Sequence, residues 1–275
     1  MASVRTGDID TYYERNGEGP AIVFVHGAIL DSAAWLEQAD ALSDEYTTVT
    51  YDVRGHGRTG GSDRNVYSVE LLADDLHALV EALDLDRPVI CGLSLGGCIA
   101  QVYATKYPES LSGLVLADTF TPPYFSRRER FQRSTSMRGI IPIVRLVGYE
   151  RVEELMVWVN ERVHGEGVSG EYGRVEALRE EGPPMATAEF AKVIRALASF
   201  HETNVEHAAI AVPTLVLYGE NEPPFIKQHA IALAETVPDV TVQAVPDAGH
   251  ASNLDNPPFF TNSVRAFLKN QVLAA

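Results

Sequence analysis

Short runs of apolar, β-branched residues alternate along this chain with stretches whose apolar positions recur every three or four residues, and that change of period predicts its elements. Six runs read as strands: Ala21 to Val25 (AIVFV), Thr47 to Tyr51 (TTVTY), Pro88 to Cys91 (PVIC), Leu114 to Ala117 (LVLA), Thr214 to Tyr218 (TLVLY) and Val240 to Val245 (VTVQAV). Most are apolar at nearly every position, as expected of strands covered on both faces of a parallel sheet. Behind Ser68, placed as an N-cap, Val69, Leu72, Leu76, Leu79, Val80 and Leu83 follow at helical spacing. A last helix begins near Pro257 and Pro258, residues tolerated in a first turn, and carries Val264, Phe267 and Leu268 on one face. Strand and helix in alternation give an α/β fold with a mostly parallel, doubly wound sheet.

The alternation stops between residues 121 and 210, where helical patterns such as ERVEELMVWVNERV and TAEFAKVIRALASF follow one another with no strand signal. The flanking runs LVLAD and VPTLVLYG read as neighbours in one sheet. The organisation expected is therefore a core of residues 1–120 and 211–275 carrying a helical cap inserted at 121–210.

A length of 275 residues suits one large α/β domain, and 45% apolar with 22% charged residues excludes a disordered or fibrous chain. The opening MASVRTGDID lacks the apolar run of a secretory signal, and no stretch is apolar for long enough to span a bilayer, so the location expected is cytoplasmic. A net charge of −16 repels nucleic acid and argues against anionic membrane surfaces. Only four basic residues are lysines (Lys106, Lys192, Lys227, Lys269), which fits adaptation to high salt and equally fits a GC-rich genome that favours Arg. Cys91 and Cys98, the only cysteines, match no zinc pattern and read as small buried side chains, not as a disulfide.

The candidate chemistry lies at Gly92-Leu93-Ser94-Leu95-Gly96, directly after the strand PVIC and before the helical stretch LGGCIAQVYATKYP. A GxSxG in strand-turn-helix context is a nucleophile elbow: the tight turn lifts the serine above the sheet, beside the unpaired N–H groups of a helix N-terminus. A serine hydroxyl is a weak nucleophile and needs a base held by a third group. Of the eight histidines, His250 alone sits in a loop after the last strand, at the same sheet edge as Ser94 and after it in the chain. His26 and His56 lie in glycine-flanked loops and read as structural; His77, His164, His201, His207 and His229 fall on helices or in the cap.

For the acid, Glu222 stands three residues beyond Gly219 in YGENEPP, within reach of the histidine; Asp118, at the end of LVLAD, and Glu220 are the alternatives. Donors for an oxyanion are expected from the backbone N–H groups of Leu95 and Ala28, with Ile29 replacing Ala28 if the loop is shifted by one residue. Asp52 to Thr59 (DVRGHGRT) reads as a structural turn with a buried ion pair. Arg127, Arg128, Arg130, Arg133, Arg138 and Arg145 form a basic stretch that reads either as a solvated helix face or as a receiver for a substrate carboxylate.

These motifs resemble the α/β-hydrolase superfamily over the whole chain apart from the cap, and HGAILDSAAW, DVRGHGRT, CGLSLGG and AGHASNLDNP look like its esterase and 3-oxoadipate enol-lactonase-like group. The resemblance implies a triad of Ser94, an acid after the penultimate strand and His250, an oxyanion hole at Ala28 and Leu95, and no cofactor or metal. It departs from the group in two places: the acid is usually aspartate where Glu222 stands, and true enol-lactonases often carry Asn-Ser where this chain has His26-Gly27. The activity implied is hydrolysis of a small carboxylic ester or lactone. A cofactor-free perhydrolase, a C–C bond hydrolase or a low-turnover ligand sensor are the alternatives on the same fold, and the oligomeric state is left open.

Overall fold

The structure, a computed structural model, describes residues 2–148, 151, 152, 155, 158, 162 and 172–272. Eight strands form one sheet: β1 (Ala2–Thr6), β2 (Ile9–Asn16), β3 (Ala21–Val25), β4 (Thr47–Tyr51), β5 (Val89–Leu93), β6 (Gly113–Ala117), β7 (Thr214–Gly219) and β8 (Val240–Val245), in the order β1-β2-β4-β3-β5-β6-β7-β8. From β4 to β8 every pairing is parallel. The six expected runs are all strands, and β5 continues to Leu93, so that it delivers Ser94 directly.

The first two strands had no apolar run to reveal them. β1 and β2 form an antiparallel hairpin on the edge of the sheet, joined to β4, and most of their residues face solvent or are half-buried, so their sequence is largely polar.

The near-continuous apolarity of the inner strands has a simple cause. Side chains alternate faces along a strand, and here both faces are covered. Val23, Val25, Ile90, Leu114, Leu116 and Val216 point into one core with Leu72, Leu76, Ile99 and Tyr103. Their neighbours Ile22, Phe24, Val89, Cys91, Val115, Leu215 and Leu217 point into a second core with Trp35, Leu42, Phe260 and Val264.

The helices that supply those layers are α1 (Leu36–Leu42), α2 (Val69–Ala82), α3 (Leu95–Lys106), α4 (Arg127–Arg130), α5 (Met137–Val147), α6 (Tyr172–Glu181), α7 (Thr187–Ser199), α8 (Pro224–Thr236), α9 (Ser252–Asp255) and α10 (Pro257–Phe267). Ser68 caps α2 by accepting from the Leu71 N–H at 3.2 Å, as its position predicts. Asn256 does the same for α10 through the Phe259 N–H.

Because β6 pairs with β7, the chain between them leaves the sheet and returns to it. Among the described residues of that interval there is no strand; α4 passes through a π-helical turn (Phe131–Ser136) into α5, and α6 and α7 follow. Of the helical pattern over 150–163, only Arg151, Val152, Leu155, Trp158 and Arg162 are among the described residues, all helical; the rest lies outside them. One buried cluster ties this interval to the core. Glu129 accepts from Arg133 (2.5 Å) and faces His229 Nε2 of α8 (2.7 Å), while Arg133 donates to the Thr121 carbonyl and lies 3.8 Å over the Phe120 ring. Arg133 is thus removed from the basic stretch seen in the sequence and is a buried, paired cation.

Candidate active site

β5 enters α3 through Ser94, whose backbone sits at φ 52° and ψ −110°, a conformation costly for any residue with a side chain. Packing enforces it. A β-carbon on Gly92 would lie 2.2 Å from the Gly96 carbonyl oxygen, and one on Gly96 would lie 2.0 Å from the Val25 carbonyl oxygen. Only glycine at both places lets β3, β5 and the first turn of α3 approach this closely. The turn is then pinned on either side: the Ser94 N–H donates to the Ala117 carbonyl (2.9 Å), and its own carbonyl accepts from Thr119 Oγ1 (2.8 Å). Because the atoms a Gly96→Ala side chain would meet are backbone, we expect this variant to lose ~2 kcal/mol or more, read as a lower urea midpoint at unchanged m.

The loop after β8 brings His250 to the serine. Its Nε2 lies 3.0 Å from Ser94 Oγ, and its Nδ1 lies 2.7 Å from Glu222 Oε1. The loop after β7 is laced to it: Glu220 N–H donates to the Val245 carbonyl, Asn221 N–H to the Ala248 carbonyl, and Glu222 N–H back to the Gly219 carbonyl. That tight turn directs Glu222 inward, where it is 3% exposed. Glu220 faces outward and accepts from the Asp247 N–H at 3.3 Å.

Asp118, the rival acid, is fully buried and occupied elsewhere. Its two carboxylate oxygens accept the N–H groups of Gly219 and Ser252, each at 2.9 Å, so it joins the end of β7 to the start of α9. It makes no hydrogen bond with the imidazole. Burial, then the neighbouring Glu222 charge, pushes its carboxyl up to about 7. For His250, burial works against the charged ring, but the Glu222 carboxylate and, behind it, Asp118 and Asp255 outweigh it and raise the pKa to about 9. With 45% of its side chain exposed, the ring keeps contact with water.

The loop after β3 flanks the serine on the other side: a β-carbon on Gly27 would stand 3.5 Å from Ser94 Cβ. His26 holds this loop. Its Nε2 accepts from the Val53 N–H (2.9 Å), which leaves the proton on Nδ1 to reach the Gly27 carbonyl (2.8 Å). The N–H groups of Ala28 and Leu95 find no protein acceptor among the described residues, and Leu95 opens α3, where such groups are orphaned by geometry. Ile29, next to Ala28, is held at φ 62°, an unusual conformation for a β-branched residue.

The loop after β4 is a scaffold. Arg54 is buried, with both oxygens of Asp75 at 2.6 Å and Asp8 at 2.7 Å. Asp52 accepts from the N–H groups of Ser32 (2.8 Å) and Arg58 (2.6 Å), and a β-carbon on Gly57 would strike its carboxylate at 2.2 Å. His77 stacks on Tyr107 with ring centroids 3.7 Å apart, His207 reaches Gln101 Oε1 at 2.8 Å, and His201 faces the Ala198 carbonyl; His164 is outside the described residues. Cys91 and Cys98 are free and buried, and burial raises both thiols. The clamp by Thr119 had no signal in the sequence beyond its place two residues after β6. Among the described residues no group of three or more His, Cys, Asp or Glu is placed to hold a metal ion.

Comparison with known proteins identifies the fold family. The sequence model of the alpha/beta hydrolase fold family matches residues 20–257. A putative carbamate hydrolase, RutD, of Agrobacterium fabrum is 28% identical, over 92% of this chain and 94% of its own length. A 3-oxoadipate enol-lactonase of Acinetobacter baylyi is 23% identical, over 95% and 94%. A thermophilic esterase from Thermogutta terrifontis, solved with malate bound, superposes with a TM-score of 0.78 at 28% identity, covering 98% of this chain and 97% of that one. With a serine turn, a histidine loop and a carboxylate loop meeting at the carboxyl edge of a parallel sheet, the chain belongs to the alpha/beta hydrolase fold family.

Proposed function

We propose that this chain is a serine hydrolase that cleaves a carboxylic ester or lactone of a small molecule through an acyl-enzyme on Ser94. The observation that carries the reading is the unbroken relay from Ser94 Oγ through both ring nitrogens of His250 to Glu222, set on a strained turn whose hydroxyl faces an exposed imidazole. Glu222 takes the Nδ1 proton in a hydrogen bond and so leaves the Nε2 lone pair toward the serine. His250 removes the Ser94 proton as Oγ attacks the carbonyl carbon. The oxygen turns anionic and is received by the Ala28 and Leu95 N–H groups, which are free to donate. Collapse expels the alcohol, which His250 protonates. A water, deprotonated by the same imidazole, then attacks the acyl carbon and releases Ser94. The sequence of bonds broken and formed uses these three side chains, the two backbone N–H groups and one water.

The putative carbamate hydrolase among the relatives is consistent with the same attack on a carbamate carbonyl. The helical interval 121–210 is read as a cap over this edge of the sheet, and substrate choice is placed there. No helix among the described residues is long and apolar enough to cross a membrane; a cytoplasmic location and a small-molecule partner, with neither nucleic acid nor membrane, complete the proposal.

The pH dependence tests it. The proton-accepting form of His250 is the neutral ring, and its pKa is raised above the ordinary 6.5 to about 9. On p-nitrophenyl acetate, kcat/KM therefore rises with pH through neutrality and levels off on the alkaline side, since this ratio reports the free enzyme's groups. A profile already flat at pH 6 would contradict the role given to the Glu222 charge.

A further inference from the structure

A peptide unit is planar and trans, so its C=O and N–H point in opposite directions. The carbonyl of Ser94 and the N–H of Leu95 belong to one such unit. Whatever holds that carbonyl therefore also aims the N–H assigned above to the oxyanion hole.

Two donors hold it. The Cys98 N–H supplies the ordinary first bond of α3 at 3.1 Å, and Thr119 Oγ1, arriving from the end of β6, adds a second at 2.8 Å. A carbonyl can only accept, so the Thr119 proton is committed to it. The side chain is buried, and its approach is built into both segments. A β-carbon on Gly97 would come within 2.6 Å of Thr119 Cβ and Oγ1, so only glycine there admits Thr119 against the first turn of α3. On the other side, Asp118 is held at φ 47° and fastens its carboxylate to the Gly219 and Ser252 N–H groups, which fixes the residue that follows it. The Cys98 thiol lies 3.6 Å from Thr119 Oγ1, and burial raises it to about 12. It stays neutral, and no charge draws the hydroxyl away from the carbonyl.

We propose that Thr119 is a positioning residue for the reaction at Ser94, its hydroxyl fixing and polarising the peptide unit that presents the Leu95 N–H to the developing oxyanion. A hydrogen bond taken at the carbonyl draws electron density out of the amide and leaves the N–H a stronger donor. The gain is realised as charge develops on the substrate oxygen, so it favours the transition state over the bound ester. The inference rests on the function proposed for Ser94 and adds a residue that acts through the nucleophile's own peptide unit.

Thr119→Val keeps the shape of the side chain and removes the hydroxyl. On p-nitrophenyl acetate, kcat/KM is expected to fall about 10-fold, the effect of one hydrogen bond, against roughly 10² to 10³ for a deleted oxyanion donor. The inhibition constant of an alkyl trifluoromethyl ketone should rise by the same factor: Ser94 Oγ adds to its carbonyl carbon, the serine proton passes to His250, and the carbonyl oxygen becomes the anion that the two N–H groups receive. The pH profile should keep its midpoint, because the bonds of His250 to Ser94 and Glu222 are untouched. Thr119→Ser restores the hydroxyl and should recover most of both losses; Thr119→Ala, compared with it in the same way, replaces the valine variant if that one does not fold. A lower melting temperature with kcat/KM and the ketone's affinity unchanged would overturn the proposal, and so would a serine variant no more active than the valine one. Labelling of wild-type Ser94 by a fluorophosphonate separates the two levels: normal labelling with no kinetic effect of Thr119→Val sinks the positioning role alone, whereas no labelling sinks the hydrolase reading and that role with it.

Discussion

Ser94→Ala is expected to lower kcat on a p-nitrophenyl ester by about 10⁶, the loss seen when a hydrolase of this mechanism is deprived of its nucleophile. The size follows from what remains. His250 keeps its bond to Glu222, and the Ala28 and Leu95 N–H groups remain in place, so polarisation of the carbonyl and binding survive, while the covalent step has no attacking atom. Binding of a non-hydrolysed ester analogue, measured by calorimetry, should therefore change little. The fold should also persist, because the bonds pinning position 94 come from its own backbone and the left-handed conformation is equally strained with alanine. A variant with the wild-type melting temperature and more than a tenth of the activity would remove Ser94 from the chemistry.

Glu222→Gln is expected to cost about 10⁴ in kcat. An amide can donate its N–H to His250 Nδ1, which moves the ring proton to Nε2 and presents Ser94 with a donor instead of a base. Held the other way round, the amide keeps the tautomer but buries its NH₂ where Oε2 already lacks a partner. In both arrangements the charge that lifts the His250 pKa is gone, so the surviving activity should plateau at lower pH than in the wild type. Asp118→Asn supplies the contrast. The Asp118 carboxylate serves two backbone N–H groups, from Gly219 and Ser252, and an amide oxygen can serve only one. The expected loss is therefore in stability, by roughly 1–3 kcal/mol, with a smaller effect on kcat than Glu222→Gln. The reverse ranking would transfer the acid's role to Asp118.

Much of this site was legible in the residues, and the physical reasons differ by element. Inner strands were readable because both faces are buried, which makes apolar runs continuous; the β1–β2 hairpin was not, because an edge exposed to water leaves no such run. Gly92 and Gly96 were readable because carbonyl oxygens from two other segments stand where their β-carbons would be. The acid stayed open between Glu222, Asp118 and Glu220 because all three lie at the same sheet edge, and only the turn that returns Glu222 N–H to Gly219 decides which one faces the ring. The burial of Arg133 among Glu129, His229 and Phe120 was invisible in a stretch of six arginines, since a paired and an exposed cation have the same sequence. His56 reads as structural from its glycine-flanked loop; that its second nitrogen is buried without a hydrogen-bond partner is a property of packing alone.

The most direct measurement of the central claim is the mass of the protein itself during turnover. A p-nitrophenyl ester with a slowly hydrolysed acyl group, quenched in acid within the burst, should give intact protein heavier by one acyl unit, and peptide mapping should place the addition on Ser94. An unmodified protein under burst conditions, or an acyl group carried by any other residue, would contradict the account.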